Sequence, residues 1–143
     1  MNDDWQGYLA LAGVMKDRAS DLGQEVACYR SSASRAYYGA YNRALADLSG
    51  PTQYVPKPKR GVSVHAEFRD HLFHAASVLD EPQQTQLYNI ANILKRLWKY
   101  RKSADYDAKL ENTPENLATL ALTAAADVMM YLKAYLGTAA KQS

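Results

Sequence analysis

One cysteine in 143 residues, Cys28, leaves nothing for an intrachain disulfide or a thiolate metal cluster. That usage fits a reducing compartment. The acidic start Met1-Asn2-Asp3-Asp4 is unlike the charged leader of an export signal, so a cytoplasmic protein is expected. Histidine is scarce as well: His65, His71 and His74 stand alone, without an H-E-x-x-H pattern or a cysteine partner. His71 and His74 could share a helix face, but ordinary filler of an amphipathic helix accounts for them, and no bound metal or cofactor is expected. No phosphate-binding glycine loop, nucleophile elbow or paired-carboxylate signature occurs, which argues against nucleotide hydrolysis by a P-loop and against acyl transfer. The longest apolar stretch, Leu117 to Leu136, is interrupted by Asp127 and Lys133, so no membrane partner is expected. Net charge is only +2, from 17 basic and 15 acidic residues, too little to demand a nucleic-acid partner and no obstacle to one.

What is present is helical periodicity. Hydrophobic residues make up 48% of a chain of single-domain length. Trp5, Tyr8, Ala12 and Met15 recur at steps of three and four, predicting a first helix that Asp21-Leu22-Gly23 ends. A second helix is predicted from about Glu25 to Leu48, with Val26, Ala33, Tyr37, Tyr41, Ala44 and Leu48 on its inner stripe. Ser49-Gly50-Pro51 supplies a glycine stop followed by proline. Residues 50–62 hold three of the five prolines and read as a loop. Val64, Phe68, Leu72, Ala75 and Leu79 mark a third helix. Leu87, Ile90, Ala91, Leu94, Leu97 and Trp98 mark a fourth, after a proline at its first turn. Thr113-Pro114-Glu115 caps a fifth, whose expected inner face is Leu117, Leu120, Ala124, Val128, Tyr131 and Tyr135. Strand alternation and internal repeats are absent. The expectation is one all-α domain over residues 1–143, an antiparallel bundle of four to five helices.

Basic residues cluster twice, as Lys57, Lys59 and Arg60 in the loop and as Lys95, Arg96, Lys99, Arg101 and Lys102 along the fourth helix. Arg101 stands out because it continues the apolar stripe. A guanidinium there must leave the core, find a carboxylate or face a partner. Asp105, four residues on, offers an ordinary ion pair near a helix C-terminus. On the second helix Ser34, Tyr38 and Asn42 form a polar stripe at steps of four. It is either a flank reaching water or a hydrogen-bonding wall for a phosphate or base.

Two segments carry a family resemblance. Ser34-Arg35-Ala36-Tyr37-Tyr38-Gly39-Ala40-Tyr41-Asn42 resembles the second-helix signature of HEPN domains. Arg101-Lys102-Ser103-Ala104-Asp105-Tyr106-Asp107 resembles the R-x-x-A-D-Y segment of one bacterial branch, and His65 after a basic loop fits the same branch. The resemblance covers essentially the whole chain. It implies an RNA- or nucleotide-directed, toxin-like or phage-defence homodimer, with Arg101 at a shared phosphate cleft. Many members are metal-independent endoribonucleases whose motif is an arginine followed, four to six residues later, by histidine. Here no histidine follows Arg101, and the fifth residue on is Tyr106.

That substitution matters chemically. Arginine can neutralise a pentacovalent phosphate, but activating a 2′-hydroxyl needs a base near neutrality. A phenol with an ordinary pKa of ~10 serves poorly. Five residues also turn a helix by ~140°, so Arg101 and Tyr106 are expected to converge only if the helix ends between them. The resemblance therefore implies Arg101, Tyr106 and Asp105 as candidate catalytic residues, and Ser34, Arg35, Tyr38, Asn42 and Lys102 as candidate RNA- or nucleotide-binding residues. The alternative is a non-catalytic partner subunit of a small nucleotidyltransferase, with Tyr106 as the residue modified.

Overall fold

A computed structural model describes residues 5–19, 24–57, 60–61, 63–107 and 109–142. Five helices follow in order among them: α1 (Trp5–Asp17), α2 (Glu25–Leu48), α3 (Val64–Ser77), α4 (Gln83–Tyr106) and α5 (Pro114–Gln142), with no strand among the described residues. The chain is an all-helical bundle. The expected break at Asp21-Leu22-Gly23 lies outside the described residues, as does Lys59 of the loop cluster.

Helix starts follow the side-chain chemistry. Ser63 Oγ accepts from the Ala66 amide and Thr113 Oγ1 from the Asn116 amide at 3.2 Å, so each hydroxyl satisfies a donor with no partner inside its own helix. Pro82 stands at the cap of α4 rather than inside its first turn. The end of α2 departs from the expected glycine stop. Gly50 is not in the left-handed region; Gln53 is, at φ 55°. Pro51, with φ fixed near −65°, prolongs the turn, the Thr52 amide still reaches the Leu48 carbonyl at 2.9 Å, and the chain reverses only at Gln53.

α2 is the hub, packing against α1, α4 and α5, while α3 lies on α4. Tyr37, Leu48, Phe68, Leu72, Leu87, Ile90, Leu94, Leu97 and Val128 are fully buried. Four expected core positions are exposed instead. Val26 is 55% exposed, Val64 51%, Tyr8 44% and Leu120 39%. Val26 and Val64 sit in the first turns of their helices, beyond the reach of a covering neighbour. Tyr8 lies against Trp5 on the outer side of α1 while Ala12 takes the core position. On α5 the expected Leu117, Ala124, Val128 and Tyr135 are buried, but Ala121 and Leu132 take the inward places expected of Leu120 and Tyr131, and Ala118 and Ala125 are buried beside them. α2 answers with buried Ala33, Ala36, Ala40 and Ala44. Small side chains on both helices permit close axial approach, which a stripe chosen by size alone overlooks. Gly39 serves the same end toward α1: a Cβ there would lie 2.9 Å from Leu9 Cδ2 and 3.2 Å from the Trp5 carbonyl oxygen.

The stretch Pro114–Lys141 is long and apolar enough, by length and composition, to cross a membrane, its best window reaching a mean hydropathy of 1.3. The expectation that Asp127 and Lys133 would exclude this does not hold on composition. Its Leu117, Ala121, Val128 and Leu132 side chains are buried in the bundle.

Candidate functional site

The polar stripe of α2 begins one turn earlier than the sequence suggested. Arg30 precedes Ser34, Tyr38 and Asn42 at the same step of four, and its Nη1 donates to the carbonyls of Asp107 at 2.7 Å and Ala104 at 3.2 Å. A cation on the last carbonyls of α4 is favourable for both their unmet acceptors and the helix dipole. Arg30 thereby fixes the end of α4 against α2, and Arg101 lies one turn back from that end. The four-residue spacing was the available signal for Arg30.

At this junction Arg101 Nη2 donates to Tyr38 Oη at 2.7 Å and reaches Tyr106 Oη at 3.4 Å. The guanidinium carbon also lies 5.2 Å from the Tyr38 ring centre and 5.4 Å from that of Tyr106, both cation–π distances. Tyr106 is still inside α4, so convergence does not require the helix to end between the two residues. The length of the arginine stem spans the ~140° that separates their Cα atoms.

Asp105 takes the ion-pair role. Its Oδ2 lies 2.9 Å from Arg101 Nε and accepts a hydrogen bond from Ser34 Oγ at 3.3 Å. The Nε contact is close in distance but off the N–H axis. That buried nitrogen therefore has charge contact without an aligned hydrogen bond among the described residues. The arginine side chain is 17% exposed. It is held from three sides and open on a fourth.

The other expected binding residues divide. Ser34 and Tyr38 join Arg101. Asn42 spends its amide donor on the Tyr38 carbonyl at 2.8 Å, and Arg35 enters none of the hydrogen bonds or ion pairs of this cluster. Lys102 lies elsewhere, its Nζ 4.2 Å from the Trp98 ring, which Arg69 also contacts at 5.1 Å. Lys95, Lys99 and Lys102 form an exposed row on α4, running to a concave surface lined by Trp98, Lys99, Lys102, Ser103 and Asp107.

The histidines also part company. His71 Nε2 lies 2.9 Å from the Thr52 carbonyl, and His71 thus anchors the α2–α3 loop. His74 is exposed, and no group of three or more metal-ligating side chains is assembled among the described residues. His65 proves to be part of the arginine cluster. Its Nδ1 hydrogen-bonds Tyr37 Oη, and its ring centre lies 4.4 Å from that of Tyr41 and 6.5 Å from that of Tyr38, which also contacts Arg101. Burial first, then the nearby Arg101 and Arg69 charges, push the imidazole pKa below its ordinary value. Burial pushes the Tyr41 phenol up to about 12 and raises that of Tyr37 further. The chain thus brings a histidine to its arginine from 36 residues upstream, where a spacing motif counted forward from Arg101 cannot find it.

A pH dependence follows. An imidazole whose folded pKa is below ~6.5 is protonated first in the unfolded chain, so stability falls as pH drops through that value. The melting temperature is expected to decline between pH 7.5 and pH 5.5, and His65→Gln to flatten that decline. A variant with the wild-type pH profile would mean His65 is solvated rather than held in this cluster.

Comparison with models of protein families, with curated proteins and with solved structures finds no match.

Proposed function

We propose that this chain is an RNA- or nucleotide-directed helical module of the HEPN kind, in which Arg101 receives a phosphodiester. One observation carries the reading: Arg101 is oriented by Tyr38, Tyr106 and Asp105 at a helix junction, yet its side chain remains 17% exposed. A guanidinium preorganised in this way loses little freedom on binding a planar anion, and its fork matches two phosphate oxygens. The exposed row Lys95, Lys99 and Lys102 supplies charge for the rest of a single strand. In this reading two chains meet across the end of α4 and the polar face of α2, bringing two Arg101 side chains to one cleft.

The test is a labelled single-stranded oligoribonucleotide titrated with the protein in chelator, followed by anisotropy and by denaturing gel, with light scattering for the dimer. Saturable binding that weakens steeply with salt is expected, with a Kd on the order of 10–100 µM or tighter. No binding in that range would remove the reading.

A second reading has its own observation. Tyr106 is 69% exposed at the C-terminal end of α4, open to a modifying enzyme. If the chain is the partner of a small nucleotidyltransferase, Tyr106→Phe keeps its RNA affinity but escapes modification by the co-expressed transferase. If Tyr106 instead holds phosphate beside Arg101, the same change costs about one hydrogen bond, roughly a 3- to 10-fold loss of affinity. A Tyr106→Phe protein matching wild type in both assays would reduce the ring to packing on Arg101.

A further inference from the structure

His65 is placed by the cluster in a single protonation state. Tyr37 is fully buried, and its hydroxyl makes one hydrogen bond among the described residues, to His65 Nδ1. Either group could supply the proton. Were Nδ1 the donor, the phenolic proton would have no acceptor in the core, and an unmade buried hydrogen bond is expensive. With the phenol donating, Nδ1 is the acceptor, and a neutral ring must then carry its proton on Nε2. Charging the ring would make both nitrogens donors and turn the Tyr37 hydroxyl away from its only partner.

Burial and two guanidinium charges oppose that charge. Tyr37, Tyr38 and Tyr41 face the ring from α2, Arg69 from α3 and Arg101 from α4, and no carboxylate is paired with His65 among the described residues. Arg69 is 8% exposed with a buried, unpartnered Nη1, and it rests on the Trp98 ring rather than on an acid. Its positive charge has no acid paired with it among the described residues. Nε2 is the free edge of the ring, since the described residues give it no hydrogen bond and it is not among their buried unpartnered atoms.

We propose that His65 serves the Arg101 cleft as a neutral imidazole whose Nε2–H donates a hydrogen bond to a phosphodiester oxygen of RNA, so that the cleft binds the strand without taking a proton from it. The identity of the ligand rests on the reading of Arg101 given above, whereas the protonation state does not. Arg101 supplies the charge and His65 a second, uncharged donor, and neither is a base for a 2′-hydroxyl. The site becomes one of capture rather than cleavage.

Two measurements test this separately. Long-range proton–nitrogen correlation spectra of the ¹⁵N-labelled protein, with the His65 signals identified by their loss in His65→Gln, read the tautomer directly. The expected result is a proton on Nε2 and an acceptor Nδ1, persisting as pH falls below ~6.5. In Tyr37→Phe the preference is lost and protonation moves to higher pH. A wild-type proton on Nδ1, or ordinary titration, overturns the proposal without touching the role of Arg101.

Oligoribonucleotide binding at pH 7.5 supplies the second arm. His65→Phe is expected to weaken binding by about 3- to 10-fold, the value of one hydrogen bond, and His65→Gln, which keeps an N–H, to lose less. Wild-type protein in chelator is expected to leave the RNA intact. Equal binding by all three proteins overturns the donor role. Cleavage by wild type that stops in His65→Gln would identify a base and overturn the proposal as well. If wild type shows the expected tautomer but binds no RNA, it is the Arg101 reading that has failed, and the donor role falls with it.

Discussion

Arg101→Ala is expected to weaken oligoribonucleotide binding by about 10- to 100-fold while the protein still unfolds cooperatively. The size follows from removing a charge-assisted contact, which is worth roughly 1.5–3 kcal/mol. The fold should tolerate the change because what it loses is peripheral. Tyr38 keeps a hydroxyl close to water, Asp105 keeps Ser34, and the Arg30 bonds to the carbonyls of Ala104 and Asp107 still hold the end of α4. A part-exposed ion pair of this kind contributes about 1 kcal/mol or less. Arg101→Lys separates charge from geometry. It retains the cation but not the planar fork, and should recover only part of the affinity. Should Arg101→Ala instead bind RNA as wild type does and melt much earlier, the arginine is a structural partner of Asp105 and the phosphate reading is lost.

The largest stability effect is expected at Phe68. Its ring is fully buried, edge-on to Tyr41 at 5.7 Å and to Tyr54 at 5.1 Å. Phe68→Ala removes that bulk and both aromatic contacts, a change that costs about 3–5 kcal/mol in a closed core. For a chain of this size the midpoint should drop by on the order of 10 °C in thermal denaturation. The loss reaches His65, because Tyr41 is the ring nearest to it and Tyr54 seats the loop that precedes α3. The pH-dependent part of stability carried by His65 should shrink in the same variant. Phe68→Leu, with most of the volume restored, should lose about 1 kcal/mol. A Phe68→Ala midpoint within a degree or two of wild type would mean α3 is not packed as described.

Periodicity and capping chemistry determined the five helices, the fourth helix's inner face and the cap at Thr113, because apolar spacing and capping hydroxyls act within a turn or two of chain. It also singled out Arg101, since a guanidinium continuing the stripe Leu87, Ile90, Leu94 and Leu97 breaks a local rule that neighbouring residues otherwise obey. Tertiary packing decided the rest. Alanines fill many of the buried positions of α2 and α5, beside large residues such as Tyr37, Leu48, Leu117 and Val128, because helix approach depends on what the opposite helix presents. Gly39 is needed only where α1 crosses α2. Arg30 and His65 joined the arginine cluster by contacts 74 and 28 residues apart in the chain, to Ala104 and Tyr37. The proton on His65 depends on one such contact. The Tyr37 hydroxyl is buried with one partner among the described residues, and that hydrogen bond between α2 and α3 fixes a tautomer that residue identity alone leaves open.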